Sequence, residues 1–150
     1  MDYWQNTEDY LRRFLLVSSA SFIESELKKI LIEFTDSQDN ISQSIKYFIK
    51  NKAIERQYHT YFDWNAKNTN SFFKLFGQDF QQNISNKISK DKKLDSNVKS
   101  FMELGRLRNE IVHENLLEYK LEKTSDEIYS LYQDAFKFIN FFKQELYINK

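Results

Sequence analysis

Three residues in one short stretch have the chemistry to act on a phosphodiester: Arg108, Asn109 and His113, within Leu104-Gly105-Arg106-Leu107-Arg108-Asn109-Glu110-Ile111-Val112-His113. Arginine presents a rigid fork of donors that matches phosphate oxygens. Histidine takes or gives a proton near neutral pH. RNA carries its own nucleophile: removing the 2′-OH proton lets that oxygen attack the neighbouring phosphorus and expel the 5′-oxygen. Such a site needs a proton-transfer group and a donor for the charge on the phosphoryl oxygens, with no metal strictly required. His113 suits the first role and Arg108 the second. Asn109 can orient the imidazole or hold the phosphate.

On an α-helix, positions 109 and 113 share a face. Arg108 and His113, five apart, point about 140° apart and differ in height by about 7.5 Å. They cannot grip one atom together within a single helix. Two copies of the helix around a two-fold axis would line one cleft with two Arg and two His, so the geometry asks for a homodimer. The other reading is a solvated helical face, with Arg108 and His113 at an interface.

The words around the motif resemble a known family. "LRNEIVHEN" (Leu107 to Asn115) resembles the hallmark of the HEPN superfamily: an Arg, a polar residue straight after it, and a His four to six residues on. "FLLVSSASFIESELKKIL" (Phe14 to Leu31) and "NSFFKLFGQDF" (Asn70 to Phe80) fit the branch called RiboL-PSP-HEPN, so the resemblance spans nearly the whole chain. It implies an all-α, four- to five-helix bundle and a metal-independent endoribonuclease with a composite site at a dimer interface. It also implies a toxin–antitoxin or antiviral defence setting, with an antitoxin or defence-system protein as partner. The catalytic set it points to is Arg108, His113 and Asn109. Many HEPN toxins carry a Tyr two residues after the His; here that residue is Asn115, and the next tyrosine is Tyr119. Some HEPN domains are non-catalytic RNA-binding or protein-interaction modules, which is the alternative function.

Composition agrees with a helical protein. The 150 residues fit one domain, 1–150. Apolar residues make up 41% and aromatics 17%, enough for a packed core. No Pro and only two Gly leave few helix breakers and little material for hairpins. The absence of Cys removes disulfides, thiolate catalysis and Cys-ligated zinc. No zinc, Rossmann or P-loop motif is present, so no metal and no cofactor is expected. With no apolar run near a membrane span and no leader-like N-terminus, a cytoplasmic protein without membrane contact is expected. The 22 basic and 22 acidic residues balance, so any RNA binding must be local.

Along the chain, Asn6 or Thr7 is expected to cap a long first helix carrying Leu11, Phe14, Leu15, Phe22, Leu27, Ile30, Leu31 and Phe34 at helical spacing. Glu24 and Glu26 sit near its middle. They are either paired with Lys28 and Lys29, or one of them pairs with Arg108 or orients His113. A second helix is expected over 41–52, with Ile45, Phe48 and Ile49 inward. The aromatics Tyr58, Tyr61, Phe62 and Trp64 read as core, the alternative being a base-stacking platform. His59 among them lacks a partner signature. A polar loop over 65–71, a short helix over 72–76 ended by Gly77, and a helical piece over 79–89 follow.

Lys87, Lys90, Lys92 and Lys93 form the most basic stretch. It is either a solvated loop or a phosphate-tracking rim beside the site. The motif helix is expected to start at Asp95 or Ser96 and to bury Val98, Phe101, Met102, Leu104 and Val112. Gly105, inside it, costs about 1 kcal/mol relative to Ala. A close helix crossing or a close approach of RNA would account for it. Thr124-Ser125-Asp126-Glu127 reads as a capping box opening a last helix to Tyr147.

Overall fold

The computed structural model describes residues 3–148, with side chains from residue 6 onward. It is all-α, with no strand among the described residues. Six α-helices run in order: α1 (Tyr3–Asp36), α2 (Gln43–Ile49), α3 (Asn70–Lys74), α4 (Gln78–Lys90), α5 (Lys92–His113) and α6 (Ser125–Ile148). A π-helical turn (Lys50–Ile54) and a 3₁₀ turn (Tyr58–Thr60) lie between α2 and α3. Among the described residues no helix is long and apolar enough to cross a membrane.

The three long helices make the frame. α5 packs along α6, and α1 packs on both. Their shared core holds Leu16, Ile23 and Leu27 of α1, Phe101, Leu104 and Ile111 of α5, and Phe138 and Phe142 of α6. The segment between α2 and α4 closes the frame with rings. Phe62 lies 4.8 Å from Phe72 and 5.0 Å from Phe101, and Phe72 lies 4.9 Å from Phe142. Tyr58, Tyr61 and Phe62 are therefore core, which sets aside the stacking-platform alternative for them.

Several element boundaries differ from expectation. α1 is already helical at Tyr3, so Asn6 and Thr7 lie inside it rather than capping it. Its exposed face carries Leu11 and Phe14, 62% and 68% accessible, while Leu16 and Ile23 take the core. In α2 no residue is buried: Ile45 and Phe48 face outward, and the helix opens into the π turn before position 52. α3 begins at Asn70, inside the expected polar loop, and Gly77 with φ +103° introduces α4. The motif helix starts at Lys92, not near Asp95. Asp91 caps it, its side chain accepting from the amides of Lys93 (2.9 Å) and Leu94 (3.1 Å). The lysine-rich stretch is thus a helix-to-helix joint, because one aspartate can serve as N-cap inside a basic run. The capping box of α6 forms as expected: Thr124 N donates to Glu127 Oε2 (2.8 Å) and Glu127 N to Thr124 Oγ1 (3.2 Å).

Candidate active site on the motif helix

The last two turns of α5 carry Arg108, Asn109 and His113. Leu104, Leu107 and Ile111 of the same helix are buried, which fixes its rotation. Arg108 and Asn109 are thereby turned into a cleft, half-buried, with Glu24 and Ala20 of α1, Tyr58, His59 and Trp64, and Gly105 one turn earlier. Arg108 Nη1 donates to Asn109 Oδ1 at 3.2 Å. Arg108 Nε is shielded from solvent and has no hydrogen-bond partner. A buried donor on a cation without an acceptor is costly.

His113 is exposed and ends α5. It does not line the cleft that holds Arg108. The single chain therefore separates the motif's cation from its imidazole, as helix geometry requires.

Gly105 has a different cause from either one expected. The indole of Trp64 lies where a Cβ at position 105 would stand. The close approach is an aromatic side chain of the chain itself, neither a second helix nor a ligand. Trp64 Nε1 in turn donates to the His59 carbonyl at 3.2 Å. Gly105 thus brings the Tyr58–Trp64 segment, and His59 with it, up to Arg108.

Glu24 divides its carboxylate between Lys28 Nζ (2.6 Å) and His59 Nε2 (3.6 Å). It makes no ion pair with Arg108 among the described residues. Glu26 is half-buried and outside the cleft. Burial and then Arg108 push the His59 imidazole below the usual histidine value, and Glu24 opposes them. Burial, with Glu24 adding to it, pushes the Tyr58 hydroxyl well above the ordinary tyrosine value. The sequence held no local signal for His59 in this cleft, since it stands 49 positions before Arg108.

The lysines do not border the cleft. Lys92 and Lys93 begin α5, and 15 residues at the helical rise put Lys93 about 22 Å from Arg108. Lys87 is committed elsewhere: its Nζ contacts both carboxylate oxygens of buried Glu145, at 2.9 and 2.8 Å. Lys90, Lys92 and Lys93 are exposed.

Past the motif, Asn115 has φ +109°, a conformation that a tyrosine would adopt only with strain. Its side chain accepts from Leu117 N at 3.1 Å. Tyr119 does not line the cleft. Its hydroxyl donates to Glu110 at 2.7 Å, on another face of α5, and burial and that bond push it up to about 12.

No group of three or more His, Cys, Asp or Glu stands in position to hold a metal among the described residues. A family model described as RiboL-PSP-HEPN matches residues 5–147. No curated protein and no solved structure matches the chain.

Proposed function

The chain belongs to the RiboL-PSP-HEPN family, within the HEPN superfamily, and from that premise we propose that it is a metal-independent endoribonuclease. Arg108 takes the charge on the phosphoryl oxygens, Asn109 holds its guanidinium, and His113 transfers a proton during attack by the 2′-OH. The observation that carries this reading is Arg108 itself, half-buried in the cleft and held by its hydrogen bond to Asn109 beside His59.

The active form is a homodimer. Arg108 and His113 face apart, and beside the motif the apolar residues Leu11, Phe14, Val112 and Leu117 are each more than half exposed. Arg13 ties α1 to this part of the chain through the carbonyls of Leu117 (3.0 Å) and Tyr119 (2.8 Å). A second copy covering these residues would bring its own motif helix near the first. The biological setting that fits is toxin–antitoxin or antiviral defence, in the cytoplasm, with a protein partner restraining the nuclease.

The test is cleavage of RNA by purified protein in excess chelator. The expected products end in a 2′,3′-cyclic phosphate, and a 2′-deoxy sugar at the cleavage point blocks the reaction. Arg108→Ala and His113→Ala each lower the rate about 10²–10⁴-fold. His113→Ala with near-full activity, or loss of cleavage in chelator, overturns the reading. The same exposed apolar residues favour a second reading, a non-catalytic helical interaction module. It prevails if the protein cleaves no RNA and the two variants change only self-association.

A further inference from the structure

The cleft that holds Arg108 contains an imidazole, and it is His59 rather than His113. We propose that His59, paired with Glu24, is the proton acceptor of the cleavage reaction and that His113 is the proton donor. The assignment rests on the ribonuclease reading above and adds a residue outside the Arg–His motif.

Position comes first. His59 Nε2 stands 3.6 Å from Glu24 Oε2, and both residues line the cleft with Arg108 and Asn109. The imidazole lies edge-on to the buried Tyr58 ring, with 5.4 Å between centroids. Its own carbonyl accepts from Trp64 Nε1, and Trp64 is seated against Gly105. Side chain and backbone are therefore both held, while 43% of the side chain remains accessible to a substrate.

Charge comes second. The groups acting on His59 are Glu24 and Lys28 of α1, and Arg108 and His113 of α5, with the Tyr58 ring beside it. Burial, Arg108, Lys28 and His113 all favour the neutral imidazole, which is the form a base needs. Glu24 favours the imidazolium, which is the form the base becomes. A carboxylate behind a histidine base stabilises the charge that develops on it.

The reaction balances on these groups. Neutral His59 takes the 2′-OH proton as O2′ bonds to phosphorus. The bond from phosphorus to O5′ breaks, and His113 imidazolium gives its proton to the departing oxygen. The products are a 2′,3′-cyclic phosphate and a 5′-OH end. His59 ends protonated and His113 neutral, and exchange with water resets both.

The experiment compares wild type, His59→Gln and His113→Gln in single-turnover cleavage across pH. Each is given an oligoribonucleotide with an ordinary linkage and one with sulfur in place of the bridging 5′-oxygen. A thiolate leaves without protonation, so the second substrate does not need the acid. His59→Gln is expected to lose about 10²–10⁴-fold on both linkages and to lose the fall in rate at low pH. His113→Gln is expected to be slow on the ordinary linkage and restored on the sulfur linkage. His59→Gln cleaving at the wild-type rate while His113→Gln does not overturns this assignment and leaves the ribonuclease reading standing. Restoration of His59→Gln by the sulfur linkage overturns it as well, because His59 would then be the donor. Wild type cleaving neither substrate overturns the ribonuclease reading and this assignment together. His59 is accessible, and an unchanged circular dichroism spectrum verifies that the Gln variant folds.

Discussion

The indole of Trp64 occupies the place where Gly105 would carry a Cβ. The ring is packed against Phe62 at 4.9 Å, Tyr58 at 5.8 Å and Phe101 at 6.0 Å. Gly105→Ala gains about 1 kcal/mol of helix propensity. It meets an overpacking cost of about 1–3 kcal/mol. The packing cost is expected to win, so the variant should be less stable than wild type in urea unfolding. Adding Trp64→Val should recover most of the loss attributable to the clash, leaving the double variant better than the sum of the two singles.

Glu24→Gln tests the electrostatics of the cleft. The carboxylate raises the His59 pKa, so removing its charge lowers that pKa further, and Lys28, no longer neutralised, pushes the same way. A base loses activity as pH falls through its pKa. The acidic limb of the rate profile should therefore move to lower pH in Glu24→Gln, while the plateau rate drops because the developing imidazolium loses its partner. An acidic limb that stays in place would remove Glu24 from this role.

The lysines separate into two kinds. Lys87→Ala removes both of its contacts to the buried Glu145 carboxylate and should cost about 1–3 kcal/mol of stability. Lys90, Lys92 and Lys93 are exposed, and neutralising the three should leave stability nearly unchanged. If they track a strand that extends some 20 Å from the cleft, each lost phosphate contact flattens the salt dependence of RNA binding by about 0.7 in slope. An unchanged slope returns them to plain solvation.

Phe14 and Leu117 test self-association. Placing a carboxylate at either residue would bury a charge if a second copy covers that face. Phe14→Asp combined with Leu117→Asp should weaken the dimer by about 3 kcal/mol or more, roughly 100-fold in dissociation constant. Sedimentation should then show monomers at concentrations where wild type is dimeric, and cleavage should fall in parallel. A wild type that sediments as a monomer at micromolar concentration would rule the composite site out.

Much of the frame was legible in the chain because its determinants are local. The capping box at Thr124–Glu127 announces α6, and the spacing of Val98, Phe101 and Leu104 announces the buried face of α5. Local patterns misled where two faces compete. Leu11, Phe14 and Val112 keep helical spacing yet stay exposed, since Leu16, Ile23 and Ile111 already fill the core. Asp91 was hidden by the lysines around it. Gly105 did signal a close approach, but a glycine cannot say what approaches. His59 was beyond reach: only the folding of a distant segment onto α5 brings it beside Arg108, and no spacing rule spans that gap.

The segment after the motif is anchored by atoms that every amino acid possesses. Arg12 donates to the carbonyls of Leu121 (3.4 Å) and Lys123 (3.0 Å), and the buried Arg13 to those of Leu117 and Tyr119. Two arginines on α1 thus grip a strap without reading its side chains. The side chains of Leu116, Glu118, Lys120 and Glu122 are exposed and take no part in that grip. The surface just beyond His113 is therefore free to drift: its chemistry can be rewritten residue by residue while the backbone that presents it stays moored. For the nuclease proposed above, that makes the strap an evolvable specificity element on a fixed scaffold.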